Sequence, residues 1–291
     1  MGPFEYFEPS TIEEAVLLLN KYGNEAKVLA GGTALVNMMK KGVIKPGYIV
    51  NIGCIPDLDY IRIDGDKDAI IKALTTIRRI EQSQQLQPKY GMICEAVGQL
   101  ASVSVRNVAT IGGGLCNAAP GQVIAPTLIA LSAKVKLVSV AGERIVRLEN
   151  FFIGSGATVL KTSELLIDIQ IPTPPAHSGG AYVKYSRGGE DYPIVGVAAL
   201  ITLDSGNKAC TGAKVVLDAV APTPMIAHKS EEILEGEELD DKLIEKAAQV
   251  ASDESSPIDD VRCSAEYKRK MVRVIARDAI KRAAERAKSA V

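Results

Sequence analysis

Apolar positions in the first 60 residues alternate between the repeat of a helix and that of a strand. An amphipathic helix is predicted from the spacing of Ile12, Ala15, Val16 and Leu19. A capping-box spacing at Ser10-Thr11-Ile12-Glu13 precedes it, and Gly23 stands at a C-cap position. Buried strands are expected at 26–30 and 48–52. This alternation indicates an α/β arrangement at the start of the chain.

The pattern from residue 60 to residue 171 predicts both strands and helices. Strands are expected at 60–63, 69–73, 133–138, 143–146 and 165–171, and helices at 76–83 and 91–100. Asp64, Asp66 and Asp68 are spaced like the start of a calcium loop, but Ala69 replaces the required Gly and Thr75 the required Glu. We therefore expect a hairpin turn at 64–66.

A change of pattern follows residues 172–180, which are rich in Pro, Gly and Ser and have the composition of a linker. Strands are then expected at 181–186, 195–203 and 212–221, followed by helices at 226–234, 241–251 and 264–287. Strands followed by helices predict an α+β domain with a three-stranded antiparallel sheet. The last helix carries nine Lys or Arg and three Asp or Glu. It is interpreted either as a core helix with a solvated basic face or as a contact with a partner protein.

Composition excludes several classes of protein. The net charge is −1, from 34 basic and 35 acidic residues, which disfavours a nucleic-acid binder. The most apolar run, 195–203, is about half of what crosses a bilayer, so no transmembrane segment is predicted. The N-terminus lacks the features of a signal peptide, and a cytoplasmic location is expected. Five scattered Cys and two His without a metal-ligand spacing predict neither a metal site nor a catalytic side chain.

Two glycine-rich turns are the candidates for chemistry. They are Ala30-Gly31-Gly32-Thr33-Ala34 and Thr110-Ile111-Gly112-Gly113-Gly114. Adjacent glycines allow close approach of a ligand to the backbone, and exposed N–H groups at a helix start suit phosphate. Together the turns could hold the two halves of a dinucleotide pyrophosphate, although each taken alone is explained by a tight turn. Neither has the Rossmann or P-loop spacing.

The two turns in combination resemble the FAD-binding (medium) subunit of the molybdenum hydroxylases, a family that includes subunits of aerobic carbon monoxide dehydrogenase and bacterial xanthine dehydrogenase. The resemblance extends over almost the whole chain. It includes the segments 7–9, 51–58, 182–191, 221–224, 257–262 and 264–267.

The resemblance implies an α+β protein with a two-lobed FAD-binding domain of the vanillyl-alcohol-oxidase (PCMH) type and a smaller C-terminal domain. We expect the first domain at 1–176, with lobes at about 1–57 and 58–176, and the second at 177–291. By resemblance both glycine turns contact the FAD pyrophosphate, Tyr192 lies against the isoalloxazine, Lys184 belongs to the same segment, and Leu166 meets the flavin. Without the resemblance, Tyr192 is interpreted equally well as a core aromatic.

The chain departs from the family pattern at three positions. Ala34 replaces a usual Asp or Ser, Gly114 a frequent Asn, and Val123 an Asp that binds the FAD sugar chain. One lost hydrogen bond weakens binding by about fivefold, and Gln122 is a possible substitute for Val123. Gly112→Val is expected to abolish FAD binding, because a side chain would obstruct the phosphate.

The resemblance implies an electron-transfer subunit. Its partners would be a molybdopterin-binding large subunit and a 2Fe–2S small subunit, and its acceptor NAD, a quinone or another oxidant. The scarcity of His agrees with this, since the flavin performs the redox step. Two alternatives remain. One is an assembly subunit without FAD, motivated by Val123 and Ala34, and the other is a stand-alone flavin oxidase or reductase.

Overall fold

The first lobe is built on a three-stranded parallel sheet. In the computed structural model, which describes residues 2–63 and 68–290, the strands lie in the order β1-β3-β2. They are β1 (Glu5–Phe7), β2 (Ala26–Leu29) and β3 (Tyr48–Asn51), with helices α1 (Ile12–Tyr22) and α2 (Leu35–Lys40). Ala15, Val16 and Leu19 of α1 are buried in the core of this lobe together with Val50 of β3. The predicted helix and both predicted strands are therefore present.

The cap of α1 lies one residue later than predicted. The Thr11 hydroxyl accepts the Glu14 N–H at 3.1 Å, and Glu14 Oε2 accepts the Ser10 N–H at 2.8 Å. The sequence satisfies the capping-box spacing in two registers, 10–13 and 11–14. The second is used because Thr11 has the extended backbone of an N-cap.

The second lobe contains a five-stranded antiparallel sheet in the order β4-β5-β10-β6-β7. Its strands are β4 (Ile61–Ile63), β5 (Ala69–Lys72), β6 (Lys134–Ser139), β7 (Gly142–Arg147) and β10 (Leu165–Ile171). A small pair, β8 (Phe152–Gly154) and β9 (Ala157–Thr158), lies between β7 and β10 in the chain. β4 and β5 are antiparallel neighbours, and the turn predicted at 64–66 lies outside the described residues.

The helices of this lobe are more numerous than predicted. They are α3 (Ile77–Glu81), α4 (Gln87–Gly98), α5 (Val103–Arg106), α6 (Ile111–Asn117) and α7 (Ile124–Ala130). Helix α4 begins four residues before the prediction, with a proline in its first turn. Helix α6 includes the glycines that the sequence places in a turn. Helices α5 and α7 are too short for a recognisable periodicity.

Strand β10 connects the two lobes through both of its faces. Leu165 and Ile167 are buried in the core of the first lobe, while Leu166, Ile169 and Ile171 are buried in that of the second. The register with β6 shifts between Leu166 and Asp168. This irregularity changes which alternate residues face the second core.

The remaining chain forms a four-stranded antiparallel sheet covered by helices. The strands are β11 (Ser178–Tyr185), β12 (Val195–Leu203), β13 (Cys210–Asp218) and β14 (Met225–Ile226), in that order across the sheet. The helices are α8 (His228–Leu234), α9 (Asp241–Glu254) and α10 (Ala265–Ser289). The sheet thus has one short strand more than predicted, β14, which occupies the start of the helix expected at 226–234.

Gly179 and Gly180 belong to β11 and not to a linker. A Cβ on Gly179 would overlap backbone atoms of Ala283 and Ala287 in α10, and a Cβ on Gly180 would overlap the Met92 side chain. These glycines therefore permit close packing between β11 and the helices on it. Two glycines that had been assigned to a linker therefore lie in a tightly packed strand.

Helix α10 is a core helix. Val272, Ile275, Ala276, Ala279 and Ile280 are buried on one face. Several of its exposed cations form ion pairs within the chain, such as Lys281 with Asp241 and Arg286 with Glu95. Across the described chain no helix combines the length and the apolar character that spanning a membrane requires.

Candidate functional site

The first glycine turn connects β2 to α2 and presents unused backbone donors. Within residues 2–63 and 68–290, no acceptor is found for the N–H groups of Gly31, Gly32, Thr33 and Ala34. The carbonyls are occupied instead, since Gly32 O accepts the Val36 N–H and Thr33 O accepts the Asn37 side chain. Consecutive amides without an acceptor, next to a helix start without a side-chain cap, are suited to bind an anion.

Gly31 also joins this turn to the second lobe. A Cβ at Gly31 would overlap the carbonyl oxygen of Val108 and lie 3.1 Å from Ala109 Cα. The backbone of the first turn therefore rests directly on the backbone of residues 108–109. This contact places the amides of the first turn beside the segment that leads into the second glycine motif.

The second glycine motif is the start of helix α6, and its amides are already bonded. The Thr110 hydroxyl caps the helix by accepting the Gly113 N–H at 3.2 Å. Ile111 N donates to Thr75 O at 3.0 Å, Gly112 N to Ala73 O at 2.9 Å, and Gly114 N to Thr110 O at 2.9 Å. The expectation that both motifs offer free amides to phosphate is therefore wrong for the second.

The three glycines of α6 differ in their surroundings. Gly112 is buried, and its Cβ would lie 2.8 Å from both the Cβ and the carbonyl oxygen of Ala73. Gly113 is exposed and its Cβ would be 4.0 Å from that of Ala30, so this position faces the first turn. A Cβ on Gly114 would meet no described atom within 4 Å. The second motif therefore contributes a surface without side chains beside the first turn.

Residues 121–123 lie between α6 and α7, and Gly121 contacts the C-terminal part of the chain. Gly121 has a φ of +84° and donates its N–H to Asp218 Oδ1 at 3.1 Å. The side-chain oxygen of Gln122 is buried and has no partner among the described residues. Val123 is 3 % exposed and packs in the core of the second lobe. An orphaned acceptor thus lies next to the position where relatives have Asp.

Asp218, at the end of β13, is a buried carboxyl beside Gly121 that sequence reasoning did not identify. Its side chain is buried, and burial raises the pKa of this carboxyl to about 6, against hydrogen bonds from Ala219, Gly121 and Tyr182 that favour the charged form. The Tyr182 hydroxyl donates to Asp218 Oδ2 at 3.4 Å. No local motif marks this residue, because its partner Gly121 is 97 residues away.

Tyr192 lies on an exposed loop between β11 and β12. It is 60 % exposed, which excludes the interpretation as a core aromatic. A Cβ on Gly121 would lie 3.5 Å from the Tyr192 ring and 3.3 Å from Pro193. The exposed ring therefore lies beside the segment that carries Gln122.

Lys184 and Leu166 are less available to a ligand than Tyr192. Lys184 Nζ donates to three carbonyls, those of Gln99, Gly189 and Asp191. Burial lowers its pKa below the ordinary value, although Asp191 opposes the shift. Leu166 is 3 % exposed and lies in the core of the second lobe. A contact with Leu166 is therefore limited to a small part of its surface.

The family follows from a comparison of the whole sequence. The family described as the FAD binding domain in molybdopterin dehydrogenase matches residues 2–174, which is more than half of the chain. The chain belongs to this family of FAD-binding subunits. The family described as the CO dehydrogenase flavoprotein C-terminal domain matches residues 180–283. The protein is thus an oxidoreductase component whose cofactor is FAD.

Relatives agree in sequence and in structure over almost their full length. The carbon monoxide dehydrogenase medium chain of Afipia carboxidovorans is 36 % identical over 99 % of both chains. The glyceraldehyde dehydrogenase medium chain of Sulfolobus acidocaldarius is 31 % identical, covering 97 % of this chain and 98 % of that one. A chain in the crystal structure of cyanide-inactivated Cu,Mo-CO dehydrogenase superimposes with a TM-score of 0.93 at 36 % identity, covering 98 % of this chain and 99 % of that one.

The residues present fit the cofactor. Unused amides at 31–34 suit a diphosphate, and the glycine surface of α6 leaves room beside them. The buried Gln122 oxygen has no donor among the described residues, and a hydroxyl group of a ligand is a suitable one. Among the described residues no group of three or more His, Cys, Asp and Glu is arranged to hold a metal ion.

Proposed function

We propose that this chain is the FAD-binding electron-transfer subunit of a molybdenum hydroxylase complex, with the FAD pyrophosphate on the amides of residues 31–34. Four consecutive N–H groups that have no acceptor among the described residues support this assignment. An anion gains several charge-assisted hydrogen bonds there without breaking any in the protein. Bound FAD supplies the redox chemistry, and the chain supplies binding and orientation.

Apart from Lys184, the remaining sequence-predicted residues keep their proposed places around the cofactor. Ala30, Thr110, Ile111, Gly112, Gly113 and Gly114 form the second wall, by contact rather than by free amides. Gln122 accepts a hydroxyl of the sugar chain in place of the family's Asp. Tyr192 covers the isoalloxazine, and its exposure beside Gly121 supports this. Leu166 contributes a small apolar contact.

The proposed partners are a molybdopterin-binding large subunit and a 2Fe–2S small subunit. Several relatives are named as the medium chain or a subunit of a dehydrogenase, which supports a multisubunit complex. We propose that the chain accepts electrons from the iron–sulfur subunit and delivers them to NAD, a quinone or another acceptor. None of the described carboxylates or histidines is needed as a general base for that role.

The proposed domain division is at residue 176, with 1–176 binding FAD and 177–291 covering it. The matched ranges 2–174 and 180–283 support a boundary in this interval. We also propose a cytoplasmic location. Cys54, Cys94, Cys116, Cys210 and Cys263 are all free thiols, which suits a reducing compartment.

FAD titration of the full chain, alone and in its purified complex, tests the proposal. Gln122→Leu is expected to weaken FAD binding by about fivefold, because one hydrogen bond is lost. Gln249→Leu, on the surface of α9, is the matched control and is expected to bind like the wild type. A wild-type chain that takes up no FAD in either state would instead support the assembly subunit without FAD.

The acceptor step is tested on the complex. Addition of its substrate is expected to bleach the flavin absorption band, and an acceptor added afterwards is expected to restore it. A complex whose flavin is never reduced by substrate contradicts the electron-transfer role. Turnover by the isolated chain would instead indicate a stand-alone oxidase or reductase.

A further inference from the structure

The loop that carries Tyr192 is held together by hydrogen bonds between its own residues. Ser186 Oγ donates to Gly188 O at 2.8 Å, and Gly188 N donates to Asp191 Oδ2 at 2.9 Å. At its base, Ile194 N donates to Tyr185 O at 2.8 Å. Its backbone thus has a defined shape even though residues 187–192 are exposed. The loop is also connected to the FAD-binding domain.

Lys184 provides the connection to that domain. Its ammonium group donates to Gln99 O at 2.7 Å, Gly189 O at 2.7 Å and Asp191 O at 3.1 Å. An ammonium has three donors and no acceptor, so these three carbonyls use its full capacity. No donor remains for a cofactor. A direct contact between Lys184 and FAD would require breaking one of these bonds.

The acceptor on the FAD-binding domain is a helix end. Gln99 is the C-cap of α4, where the partial negative charge of the helix favours a cation. The other two carbonyls belong to the loop, on either side of Glu190. Lys184 therefore joins the negative end of α4 to two of the three residues that precede Tyr192.

A second cation holds the opposite side of the loop. Arg262 Nη1 donates to Pro193 O at 2.9 Å, and Arg262 is itself paired with Asp260 at 2.6 Å. This bond anchors the loop within the C-terminal part of the chain. Among residues 2–63 and 68–290, the bond from Lys184 to Gln99 O is the hydrogen bond found between the Lys184 side of the loop and the FAD-binding domain.

We propose that Lys184 is a positioning residue that fixes Tyr192 over the cofactor site, and that it acts through Tyr192 without touching FAD. This rests on the proposed function, because Tyr192 matters here as the residue that covers the flavin. It reassigns Lys184 from the cofactor-binding residues to their support.

A double-mutant cycle tests this assignment in the full chain and in its complex. Lys184→Met keeps the apolar length of the side chain and removes all three bonds. Each of Lys184→Met and Tyr192→Ala is expected to weaken FAD binding by about tenfold and to raise the fluorescence of bound flavin. The double variant is expected to match Tyr192→Ala alone. Lys184→Arg is expected to rescue partly, since its planar fork suits fewer of the three carbonyls.

Limited trypsin digestion gives a readout that does not require FAD. Cleavage after Arg187 in the loop is expected to be at least several-fold faster in Lys184→Met than in the wild type. Lys208→Met, an exposed lysine in the β12–β13 turn, is the matched control and is expected to leave this rate unchanged. Circular dichroism of each variant verifies that the chain is folded.

Three results would overturn the assignment. The first is additivity: if the losses of FAD affinity in Lys184→Met and Tyr192→Ala add up in the double variant, Lys184 contacts FAD directly. An unchanged flavin fluorescence in Lys184→Met, or an unchanged cleavage rate after Arg187, would show that the loop does not depend on Lys184. A wild-type chain without FAD binding would defeat the proposed function, while the digestion result would still decide the role of Lys184 in the loop.

Discussion

Gly112→Ala is expected to destabilise the chain in the absence of any cofactor. The added methyl would lie 2.8 Å from Ala73 Cβ and Ala73 O, and 3.0 Å from Ala73 Cα. These atoms belong to backbone or to a methyl group, so no side-chain rotation relieves the contact. Helix α6 must therefore move by about 0.6 Å away from residue 73 to reach an ordinary contact distance of 3.4 Å.

The movement also stretches the bonds that hold α6. The N–H groups of Ile111 and Gly112 donate to Thr75 O and Ala73 O. Overpacking costs about 1–3 kcal/mol and a weakened hydrogen bond about 1 kcal/mol. The gain from replacing Gly by Ala in a helix is about 0.5–1 kcal/mol. The net loss in the free energy of unfolding is therefore about 1–3 kcal/mol.

Gly114→Ala is the matched control in the same helix. Its Cβ meets no described atom within 4 Å, so only the helix-propensity gain of about 0.5–1 kcal/mol remains. Urea unfolding of both FAD-free variants, followed by circular dichroism, measures the difference. A Gly112→Ala variant as stable as the wild type would refute the reasoning. A large side chain at position 112 is therefore expected to disturb the packing of α6 on Ala73, in addition to any effect on FAD binding.

Three further predictions concern other contacts. Gly31→Ala is expected to weaken FAD binding by more than tenfold in a titration, because its Cβ would overlap Val108 O and separate the two lobes; unchanged affinity would contradict it. Gly179→Ala is expected to lower the urea midpoint, because α10 lies directly on this strand residue; an unchanged midpoint would argue against that packing. The pKa of Asp218 is about 6 in the folded chain against 3.8 ordinarily, so the folded state binds more protons between these values and loses stability as pH rises through them. Asp218→Asn removes this loss. In urea unfolding, the free energy of unfolding of the variant relative to the wild type is expected to rise by up to about 3 kcal/mol between pH 4 and pH 7. If this difference between variant and wild type does not change with pH, the pKa shift is contradicted.

Local patterns predicted most of the regular elements because each is stabilised by its own apolar face. Strands 165–171 and 195–203 were predicted to the residue, and the almost continuous burial of β10 explains the first. The two glycines at 179–180 were misread for a physical reason. Glycine permits flexibility, but it also permits the closest packing, and only the position of α10 distinguishes the two.

The two glycine motifs illustrate the same limit at the site. Both have the composition of an anion-binding turn, yet only residues 31–34 have unused amides, while those of α6 are bonded to residues 73, 75 and 110. A backbone N–H group is available to a ligand only if no acceptor in the protein lies within its reach. Local sequence does not show where such acceptors lie. The acceptors at residues 73 and 75 follow the end of β5, about 36–39 residues earlier in the chain, and no local spacing reveals them.

The distribution of charge around the site explains why so few titratable residues marked it. Lys184 is bonded to three carbonyls, Asp218 to the amide of Gly121, and Arg106 to Glu81 and the carbonyls of residues 100 and 101. Each charged group is bound to protein and sets the position of a segment, while the groups left for the ligand are backbone amides, one amide oxygen and an aromatic ring. Fixed dipoles of this kind hold an anionic dinucleotide without exchanging protons with it, and so they leave the electron chemistry to the cofactor. Replacing a support such as Lys184 or Asp218 should therefore change the affinity and environment of the flavin, and a pH-rate profile of the complex should show no acid or base contributed by this chain.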